Sequence, residues 1–287
     1  MGGALGKLSE EQRRLLDEWI PGAAVEQDHS WGVVETTVLE MARAGSRFIV
    51  KAGGAADHHI EREIRAHLHW LEPWTSLGRA PLLLHHDSRA KLIVTTYLPG
   101  ELVLDAEQVG DPGAYRQAGE LLALLHAHTS QADDDYERRE NQKSLKLLAG
   151  PHRIAGTTVE RLQRMIAAWP TPPVTVVPTH GDWQPRNWLI HDGVVSIIDF
   201  GRAALRPPFT DLNRLDAQEF RTGPQLEAAF MAGYGSDPRA ADGWHRSRMR
   251  EAIATACWAY AQGIEEFEAQ GHRMIAEASE AFIGRTR

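Results

Sequence analysis

Two neighbouring apolar runs in the second half of the chain, each bordered by polar side chains, place the strongest constraint on its fold. The first stretch reads Thr179-His-Gly-Asp-Trp-Gln-Pro-Arg-Asn-Trp-Leu-Ile-His191, and the second reads Val194-Val-Ser-Ile-Ile-Asp-Phe-Gly201. Short apolar runs rich in β-branched residues predict buried strands, and polar residues at the ends of strands lie where a scaffold presents chemistry to solvent. We therefore expect a strand hairpin bordered by Asp182, Asn187 and Asp199.

These three residues place oxygen-bearing side chains within eighteen positions of one another. Hard cations take oxygen ligands, and Mg²⁺ prefers one or two carboxylates together with substrate phosphates. A lone His-Gly-Asp or Asp-Phe-Gly is more often an ordinary turn. The two tripeptides in this order and at this spacing form a joint pattern that predicts a site for magnesium and phosphate, and hence phosphoryl transfer.

The pattern His180-Gly-Asp-x-x-x-x-Asn187 followed by Ile198-Asp-Phe-Gly201 resembles the catalytic loop and metal-binding motif of the aminoglycoside phosphotransferase and choline kinase family. These enzymes are small-molecule relatives of the protein kinases. The resemblance implies an α+β, bilobal protein-kinase-like fold, with a small N-terminal lobe of antiparallel sheet plus helix and a larger, mainly helical C-terminal lobe. It implies that Asp182 is catalytic, that Asn187 and Asp199 hold Mg²⁺, and that ATP or GTP is the co-substrate.

In that family a strand lysine, held by a helix glutamate, contacts the α- and β-phosphates. The β-branched residues of segments 29–40 and 47–52 predict a hairpin that ends at Lys51, and residues 60–71 predict an amphipathic helix. Lys51 matches the family lysine and Glu63 matches the glutamate. Glu61 flanks the same apolar helix face from the other side and remains the alternative partner.

The resemblance also implies where the rest of the nucleotide would bind. The phosphate-facing loop falls near Ser30-Trp-Gly32, where backbone amides of a short turn can cradle phosphate, although no Gly-x-Gly-x-x-Gly occurs there. The strand predicted within residues 91–100 ends in the hinge between the lobes. We expect the adenine to pair with the backbone of Thr96, Tyr97 and Leu98.

The hinge divides the predicted lobes into residues 1–98, which bind the nucleotide, and residues 99–287, which carry catalysis and the acceptor. In the second lobe we expect a solvated loop or helix entry over residues 131–142. We also expect one long helix that carries both Trp258 and Glu265. No Ala-Pro-Glu segment follows the Asp-Phe-Gly motif, so a protein-kinase activation loop is not expected and the acceptor should be small.

The acceptor is predicted to be a hydroxylated cation. A net charge of −8 fits a positively charged ligand, although solubility alone explains it equally well. In the family the C-terminal helices line the acceptor pocket, so the candidate contacts are Asp216, Glu219, Glu265 and Glu266. Trp183 is a further candidate, because an aromatic ring beside the acceptor can stack on it or meet a cation.

The family resemblance and the acidity favour an aminoglycoside or a basic peptide antibiotic of the viomycin and capreomycin type as acceptor, so that the enzyme would confer resistance. A metabolic kinase for choline, ethanolamine, homoserine or a sugar is the alternative within enzymes. A nucleotide-binding regulatory module without catalysis is the alternative from another class.

Composition argues against several other classes. The apolar and charged contents, 43% and 24%, are ordinary for a globular protein, and no run approaches the roughly 20 apolar residues of a membrane helix. An acidic chain is a poor non-specific binder of nucleic acid. Cys257 is the only cysteine and the first residues lack a secretory signal, so we expect a cytoplasmic protein, monomeric or weakly dimeric.

Overall fold

Helices and strands both make up large parts of the chain, which confirms the predicted α+β class. The computed structural model describes residues 5–30 and 36–285. Within these ranges the strands are β1 (Ala24–Asp28), β2 (Thr37–Arg43), β3 (Ser46–Ala52), β4 (Leu83–Asp87), β5 (Leu92–Thr96), β6 (Glu101–Leu102), β7 (Gln131–Asp133), β8 (Val174–Thr179), β9 (Trp188–His191), β10 (Val194–Ile197) and β11 (Ala204–Arg206). The helices are α1 (Glu10–Trp19), α2 (His59–His69), α3 (Glu72–Thr75), α4 (Pro112–His128), α5 (Tyr136–Leu148), α6 (Gly156–Ala167), α7 (Asn213–Ala217), α8 (Glu219–Thr222), α9 (Pro224–Tyr234), α10 (Trp244–Gln262) and α11 (Glu265–Arg285). None of these helices is both long and apolar enough to cross a bilayer.

Contacts between residues divide the chain into two compact units, each assembled from separate segments of sequence. The first unit comprises Met1–His128, His180–Ala204 and Gln225–Gly235, and the second comprises Thr129–Thr179, Leu205–Pro224 and Ser236–Arg287. The predicted boundary between lobes at residue 98 rests on the position of the hinge and not on such contacts, so it stays a prediction.

The first unit is built on a five-stranded antiparallel sheet with the strand order β1-β2-β3-β5-β4. Apolar side chains of β2, β3 and β5 form one core with those of α1, and Leu39, Val50 and Leu92 in this core are completely buried. The central strand β3 pairs with β2 on one side and β5 on the other. Lys51 therefore lies in the interior of the sheet and not at its edge.

Helix α2 packs on this sheet through a narrow apolar face. Ile60 and Ile64, one helical turn apart, cluster with Ile93 of β5, and all three are nearly fully buried. The first turn of the helix is capped by Asp57, whose Oδ1 accepts hydrogen bonds from the amides of His59 (2.8 Å) and Ile60 (3.0 Å). The cap and the apolar face together fix where α2 begins and which side chains it directs toward the sheet.

The predicted hairpin in the second half of the chain is present as β9 and β10. Asp192 and Gly193 join the two strands, and both have positive φ angles, 48° and 74°, as a two-residue type I′ turn requires. Strand β6 pairs with the other side of β9, giving the sheet order β10-β9-β6. The hairpin thus determines the chain path between Asn187, just before β9, and Asp199, just after β10.

Helices α4 and α9 of the first unit approach each other through glycines. A Cβ atom on Gly119 would lie 2.2 Å from the carbonyl oxygen of Phe230, and one on Gly233 would lie 2.0 Å from the carbonyl oxygen of Arg116. Real Cβ atoms do not come this close to backbone atoms, so both positions require glycine.

In the second unit, α5, α6, α10 and α11 surround an apolar core, and β11, β8 and β7 form a three-stranded sheet in that order. Helix α10 ends at Gly263, which has a φ of 69° and a left-handed cap conformation. The prediction of one long helix carrying both Trp258 and Glu265 is therefore wrong. Trp258 belongs to α10 and Glu265 begins α11, because a left-handed glycine ends a helix.

The acidic segment 131–142 was predicted to be solvated, and this is wrong for Glu137. Its side chain is completely buried, and Oε2 accepts hydrogen bonds from Arg246 Nε (2.9 Å) and Arg250 Nη2 (2.6 Å). Arg250 Nε also donates to Asn141 Oδ1 over 3.2 Å. Burial alone would raise the pKa of Glu137, but the two guanidinium groups outweigh burial and lower the pKa below its usual value.

Replacing Glu137 should be one of the more damaging single changes in the second unit. Glu137→Gln leaves two buried guanidinium groups without their carboxylate, so we expect a loss of roughly 3–5 kcal/mol in the free energy of unfolding. Urea denaturation of the two proteins measures this. Glu140→Gln, on the same helix but paired 3.6 Å from Lys143 at the surface, is the matched control and should cost no more than about 1 kcal/mol. Equal losses for both variants would contradict the assignment of a buried ionic centre.

Candidate functional site

The loop between His180 and Asn187 holds the carboxylate of Asp182 in one orientation. Gln184 Nε2 donates to its Oδ1, and Arg186 Nη2 donates to its Oδ2 over 2.8 Å. Asn187 Nδ2 donates to the main-chain carbonyl oxygen of Asp182 over 2.7 Å. Asp182 is only 4% exposed, so these contacts leave its carboxylate little freedom to turn.

Sequence reasoning did not identify Gln184 and Arg186 as members of the site. Both occupy variable positions of the motif, two and four residues after Asp182. The only signal was the spacing, since an arginine four residues after an aspartate reaches that carboxylate when the intervening chain turns. The structure adds both residues to the site.

His180 connects the loop to the strand that leads into Asp199. Its Nε2 donates to the carbonyl oxygen of Ile198 over 3.0 Å, and its Nδ1 accepts the amide of Asp182 over 3.2 Å. A carbonyl oxygen can only accept and an amide can only donate, so Nε2 is the donor and Nδ1 the acceptor in these two hydrogen bonds. His180 therefore has a supporting position in the loop.

Lys51 joins the sheet to both helix α2 and the Asp-Phe-Gly segment. Its Nζ donates to Glu63 Oε1 over 2.8 Å and Oε2 over 3.0 Å, and lies 3.4 Å from Asp199 Oδ1. Burial by itself would lower the pKa of the Lys51 ammonium, but the Glu63 and Asp199 carboxylates outweigh burial and raise the pKa above its usual range. Glu63 is thus the partner of Lys51, whereas Glu61 pairs with Arg65 on the helix surface.

The donor set at Asn187 and Asp199 fits a magnesium ion. Because Asn187 Nδ2 is used by the carbonyl of Asp182, Oδ1 is the atom it would offer a cation. Partial burial raises the pKa of the Asp199 carboxyl group, but the nearby Lys51 ammonium lowers it by more. The net decrease keeps this half-exposed carboxylate ionised. Among the described residues no three His, Cys, Asp or Glu side chains form a metal site of their own. Two protein oxygens suit Mg²⁺, which keeps waters and takes phosphate oxygens for its other ligands.

The backbone of Asp199 has an unusual conformation. Its φ angle is 66°, in the left-handed region that residues with a side chain rarely adopt. Holding a non-glycine residue there costs on the order of 1–3 kcal/mol and persists only when surrounding contacts enforce it. The direction of the Asp199 carboxylate therefore depends on contacts made by the residues that follow it.

The predicted hinge residues follow strand β5. The amide of Thr96 donates to the carbonyl oxygen of Leu82 over 2.9 Å, and the amide of Tyr97 donates to that of Arg47 over 3.3 Å. The Arg47 guanidinium also lies 3.6 Å from the centre of the Tyr97 ring. Of the three predicted residues, Leu98 is thus the one whose amide is not engaged in these contacts. Adenine recognition at this hinge stays a prediction.

The predicted phosphate loop is described only at Ser30. The Ser30 amide donates to Asp28 Oδ1 over 3.0 Å, and its hydroxyl oxygen accepts the amide of Val38 over 3.1 Å. Trp31 and Gly32 lie outside the described residues. Through these two hydrogen bonds Ser30 holds the end of β1 against β2.

Trp183 lies in an aromatic cluster of the first unit. Its ring centroid is 5.7 Å from that of Trp74, 5.5 Å from Trp188 and 5.4 Å from His180. Trp183 is completely buried, so it offers no exposed ring face to a ligand in this conformation. The cluster instead packs beneath the loop that carries Asp182.

The four acidic candidates for the acceptor all belong to the second unit, in three different settings. Asp216 pairs with Arg239 (3.3 Å) and Arg248 (2.9 Å), so its charge is compensated. Glu265 and Glu266 are exposed in the first turn of α11. Glu219 is mostly buried, and burial raises its pKa to about 7. Their contact with an acceptor stays a prediction.

Comparisons with known proteins agree on the fold. Residues 34–249 of the 287 match the family model of the phosphotransferase enzyme family. The chain is similar to a thermostable mutant of the aminoglycoside phosphotransferase APH(4)-Ia in ternary complex with ADP and hygromycin B, with a TM-score of 0.71 and 11% identity over 94% of this chain and 98% of that one. It is similar to the choline kinase LicA from Streptococcus pneumoniae, with a TM-score of 0.67 and 17% identity over 95% of this chain and 100% of that one. A macrolide 2'-phosphotransferase type I has a TM-score of 0.61 and 17% identity over 93% of this chain and 98% of that one. No curated protein matches the sequence significantly. The protein-kinase-like fold predicted from the sequence is confirmed.

The raised pKa of Glu219 predicts a pH-dependent stability. Glu219 has a pKa near 4.5 when unfolded and about 7 when folded, so the folded protein holds the proton more tightly, and stability falls as pH rises through this interval. Glu219→Gln removes this loss, so between about pH 4.5 and about pH 8.5 its stability relative to the wild type should improve by roughly 3 kcal/mol. Urea denaturation at both pH values measures the difference. The exposed control Glu266→Gln should show no such trend, and a pH-independent effect of Glu219→Gln would contradict the burial of its carboxyl group.

Proposed function

Because the chain belongs to the phosphotransferase enzyme family, we propose that it transfers the γ-phosphoryl group of ATP or GTP to a hydroxyl group of a small cationic molecule. The observation that carries the proposal is the arrangement within the first unit. A charged Lys51 held by Glu63 lies 3.4 Å from Asp199, and the same unit contains the oriented carboxylate of Asp182. Phosphoryl transfer depends mainly on positioning and on neutralising charge, which is what these residue types supply.

The nucleotide side of the reaction is assigned to Lys51, Glu63 and the hinge. The Lys51 ammonium would neutralise the α- and β-phosphates, and Glu63 keeps it from turning away. Adenine would pair with the backbone near Thr96, Tyr97 and Leu98, where the Leu98 amide is the available donor. Asn187 Oδ1 and the Asp199 carboxylate would hold Mg²⁺, which when bound would supply charge neutralisation at the β- and γ-phosphates.

The acceptor side is assigned to Asp182. In the transfer, a bond forms between the acceptor oxygen and the γ-phosphorus, and the bond from that phosphorus to the β–γ bridging oxygen breaks. The bridging oxygen leaves with its electron pair on the nucleoside diphosphate, and the hydroxyl proton passes to Asp182. Gln184 and Arg186 contribute by keeping the two oxygens of that carboxylate in fixed directions.

For the acceptor itself, we infer an aminoglycoside or a basic peptide antibiotic, which would make the protein a resistance enzyme of the cytoplasm. Three similar structures of an aminoglycoside phosphotransferase contain hygromycin B, and a net negative charge would favour a polycation. Glu265 and Glu266 are the candidates best suited to hold ammonium groups, because they are exposed and adjacent. A metabolic kinase for choline, ethanolamine, homoserine or a sugar is the second candidate, supported by the similarity to a choline kinase.

A regulatory module that binds nucleotide without catalysis is disfavoured by the retained side chains. A module without catalysis would not need an oriented carboxylate at residue 182. In this chain the carboxylate and the main-chain carbonyl of Asp182 are nevertheless both held in place by side chains of the same loop.

An acceptor panel separates these possibilities. We expect coupled ADP- or GDP-release assays with ATP and GTP to show turnover with hygromycin B, other aminoglycosides, viomycin or capreomycin, and little with choline, ethanolamine, homoserine or simple sugars. The reverse preference would favour the metabolic kinase. Release with none of them would favour the regulatory module.

Asp182→Asn tests the assigned base directly. Removing a positioned proton acceptor should lower kcat by ~10²–10⁴-fold while nucleotide affinity, measured by calorimetry, is retained. Asp192→Asn is the matched control, because Asp192 is exposed at the hairpin tip and asparagine tolerates its positive φ angle. Normal phosphorylation by Asp182→Asn would show that the role of Asp182 is wrong.

A further inference from the structure

Three side chains of α2 contact the Asp199–Gly201 segment from one face of the helix. His59, Glu63 and His67 are spaced four residues apart, so they lie one above another on that face. The Glu63 carboxylate interacts electrostatically with the amide of Phe200, and the His67 ring meets the Phe200 ring edge-on with centroids 5.3 Å apart. His59 Nδ1 lies 2.9 Å from the carbonyl oxygen of Gly201. We call these three residues the α2 stripe.

The contact of His59 has a defined direction. The carbonyl oxygen of Gly201 can only accept, so the proton must lie on Nδ1 of His59. A Cβ atom on Gly201 would lie 3.1 Å from His59 Cβ, which is tighter than most real contacts, and 3.4 Å from its Nδ1, which is an ordinary contact. A side chain at residue 201 would therefore require His59 or the segment to shift by a few tenths of an ångström.

His59 is itself held firmly by the framework of the first unit. Asp57 Oδ1 accepts the amide of His59 over 2.8 Å, and Asp57 Oδ2 accepts the hydroxyl of Thr36 over 2.7 Å. The Lys91 ammonium donates to the carbonyl oxygen of Asp57 over 2.5 Å. The imidazole is thus presented from a part of the chain that is anchored independently of residues 199–201.

Asp199 needs such an external contact because of its left-handed backbone. Its φ angle of 66° places the next two residues, and the direction of its own carboxylate, in an arrangement that the chain would not favour alone. Glu63 interacts electrostatically with the amide of Phe200, and His59 forms a hydrogen bond with the carbonyl oxygen of Gly201. The α2 stripe therefore contacts the segment on both sides of the Phe200 side chain.

We propose that His59 is a positioning residue which, through its hydrogen bond to the Gly201 carbonyl, holds Asp199 in the conformation that the phosphotransferase reaction uses. This hydrogen bond couples the position of helix α2 to the direction of the Asp199 carboxylate. Because Glu63 belongs to α2 and pairs with Lys51, the ion pair is coupled to Asp199 in the same way. The kinetic part of this inference depends on the proposed function, and the structural part does not.

The test compares three substitutions at residue 59 with one at its neighbour. His59→Asn puts an amide nitrogen where Nδ1 lies, His59→Gln puts it farther out, and His59→Ala removes it. His58→Ala is the matched control, because exposed His58 precedes His59 on the chain and stacks on its ring with centroids 4.7 Å apart. Each full-length variant is examined by hydrogen–deuterium exchange of the amides of residues 200–203 in the absence of ligand, by thermal unfolding, and by the Mg²⁺ dependence of turnover.

For His59→Ala and His59→Gln we expect faster exchange confined to residues 200–203, an unchanged unfolding temperature, and a roughly 10- to 100-fold loss in kcat or in apparent Mg²⁺ affinity, as is usual when a residue supporting a ligand is removed. His59→Asn should restore slow exchange and most of the activity, and His58→Ala should resemble the wild type. Because His59→Asn and His59→Gln differ by one methylene, their comparison stands even if His59→Ala folds poorly.

Slow exchange in His59→Gln and His59→Ala, or equal effects of His58→Ala, would overturn the proposal. The exchange measurement needs no acceptor, so it decides the role of His59 even if the chain phosphorylates none of the molecules tested. Conversely, altered exchange with no detectable turnover in the wild type would place the failure in the proposed function.

Discussion

The ion pairs of the buried Lys51 ammonium with Glu63 and Asp199 are the interactions on which the arrangement of the first unit depends. They bring together a strand residue, a helix residue and a residue almost 150 positions later in the chain. Removing the Lys51 charge from water is costly, and Glu63 and Asp199 offset that cost only when α2 and the hairpin are both in place. The ion pair thus ties the sheet, the helix and the Asp-Phe-Gly segment to a single geometry, since a displacement of any one leaves a buried charge without a partner.

The hairpin supplies the rest of that geometry through backbone chemistry. The positive φ angles of Asp192 and Gly193 set the register of β9 against β10, which fixes how far Asp199 lies from Asn187. His180 then closes the arrangement by bonding to the carbonyl of Ile198 and the amide of Asp182. The His180 ring therefore links the loop before the hairpin to the segment after it, so a movement of Asp182 is coupled to the chain that leads into Asp199.

Much of this site could be predicted from the sequence because its signals are local. The spacing of Asp182, Asn187 and Asp199 identifies the hairpin and the candidate metal ligands, and the apolar face of α2 restricts the partner of Lys51 to two glutamates. What could not be predicted depends on distant contacts. Glu137 belongs to a run of charges that looks solvated, and it is buried because two arginines 109 and 113 residues later neutralise it. The contact of His59 with Gly201 spans 142 positions, and no sequence pattern in either segment predicts it.

The acidity of the chain bears less directly on the proposed acceptor than its net charge indicates. Net charge counts every carboxylate equally, yet Glu137 and Asp216 are each neutralised by two arginines, and Glu219 loses its charge near neutral pH because it is mostly buried. Only carboxylates that are exposed and uncompensated attract a cation strongly at short range, and the adjacent Glu265 and Glu266 at the start of α11 are exposed. Helix electrostatics favours acidic residues at this position, because negative charges are stabilised at a helix N-terminus even without a ligand. Selection of the proposed polycationic acceptor would therefore come from how such carboxylates are spaced against its amino groups, because the total of −8 also counts carboxylates that are neutralised within the fold.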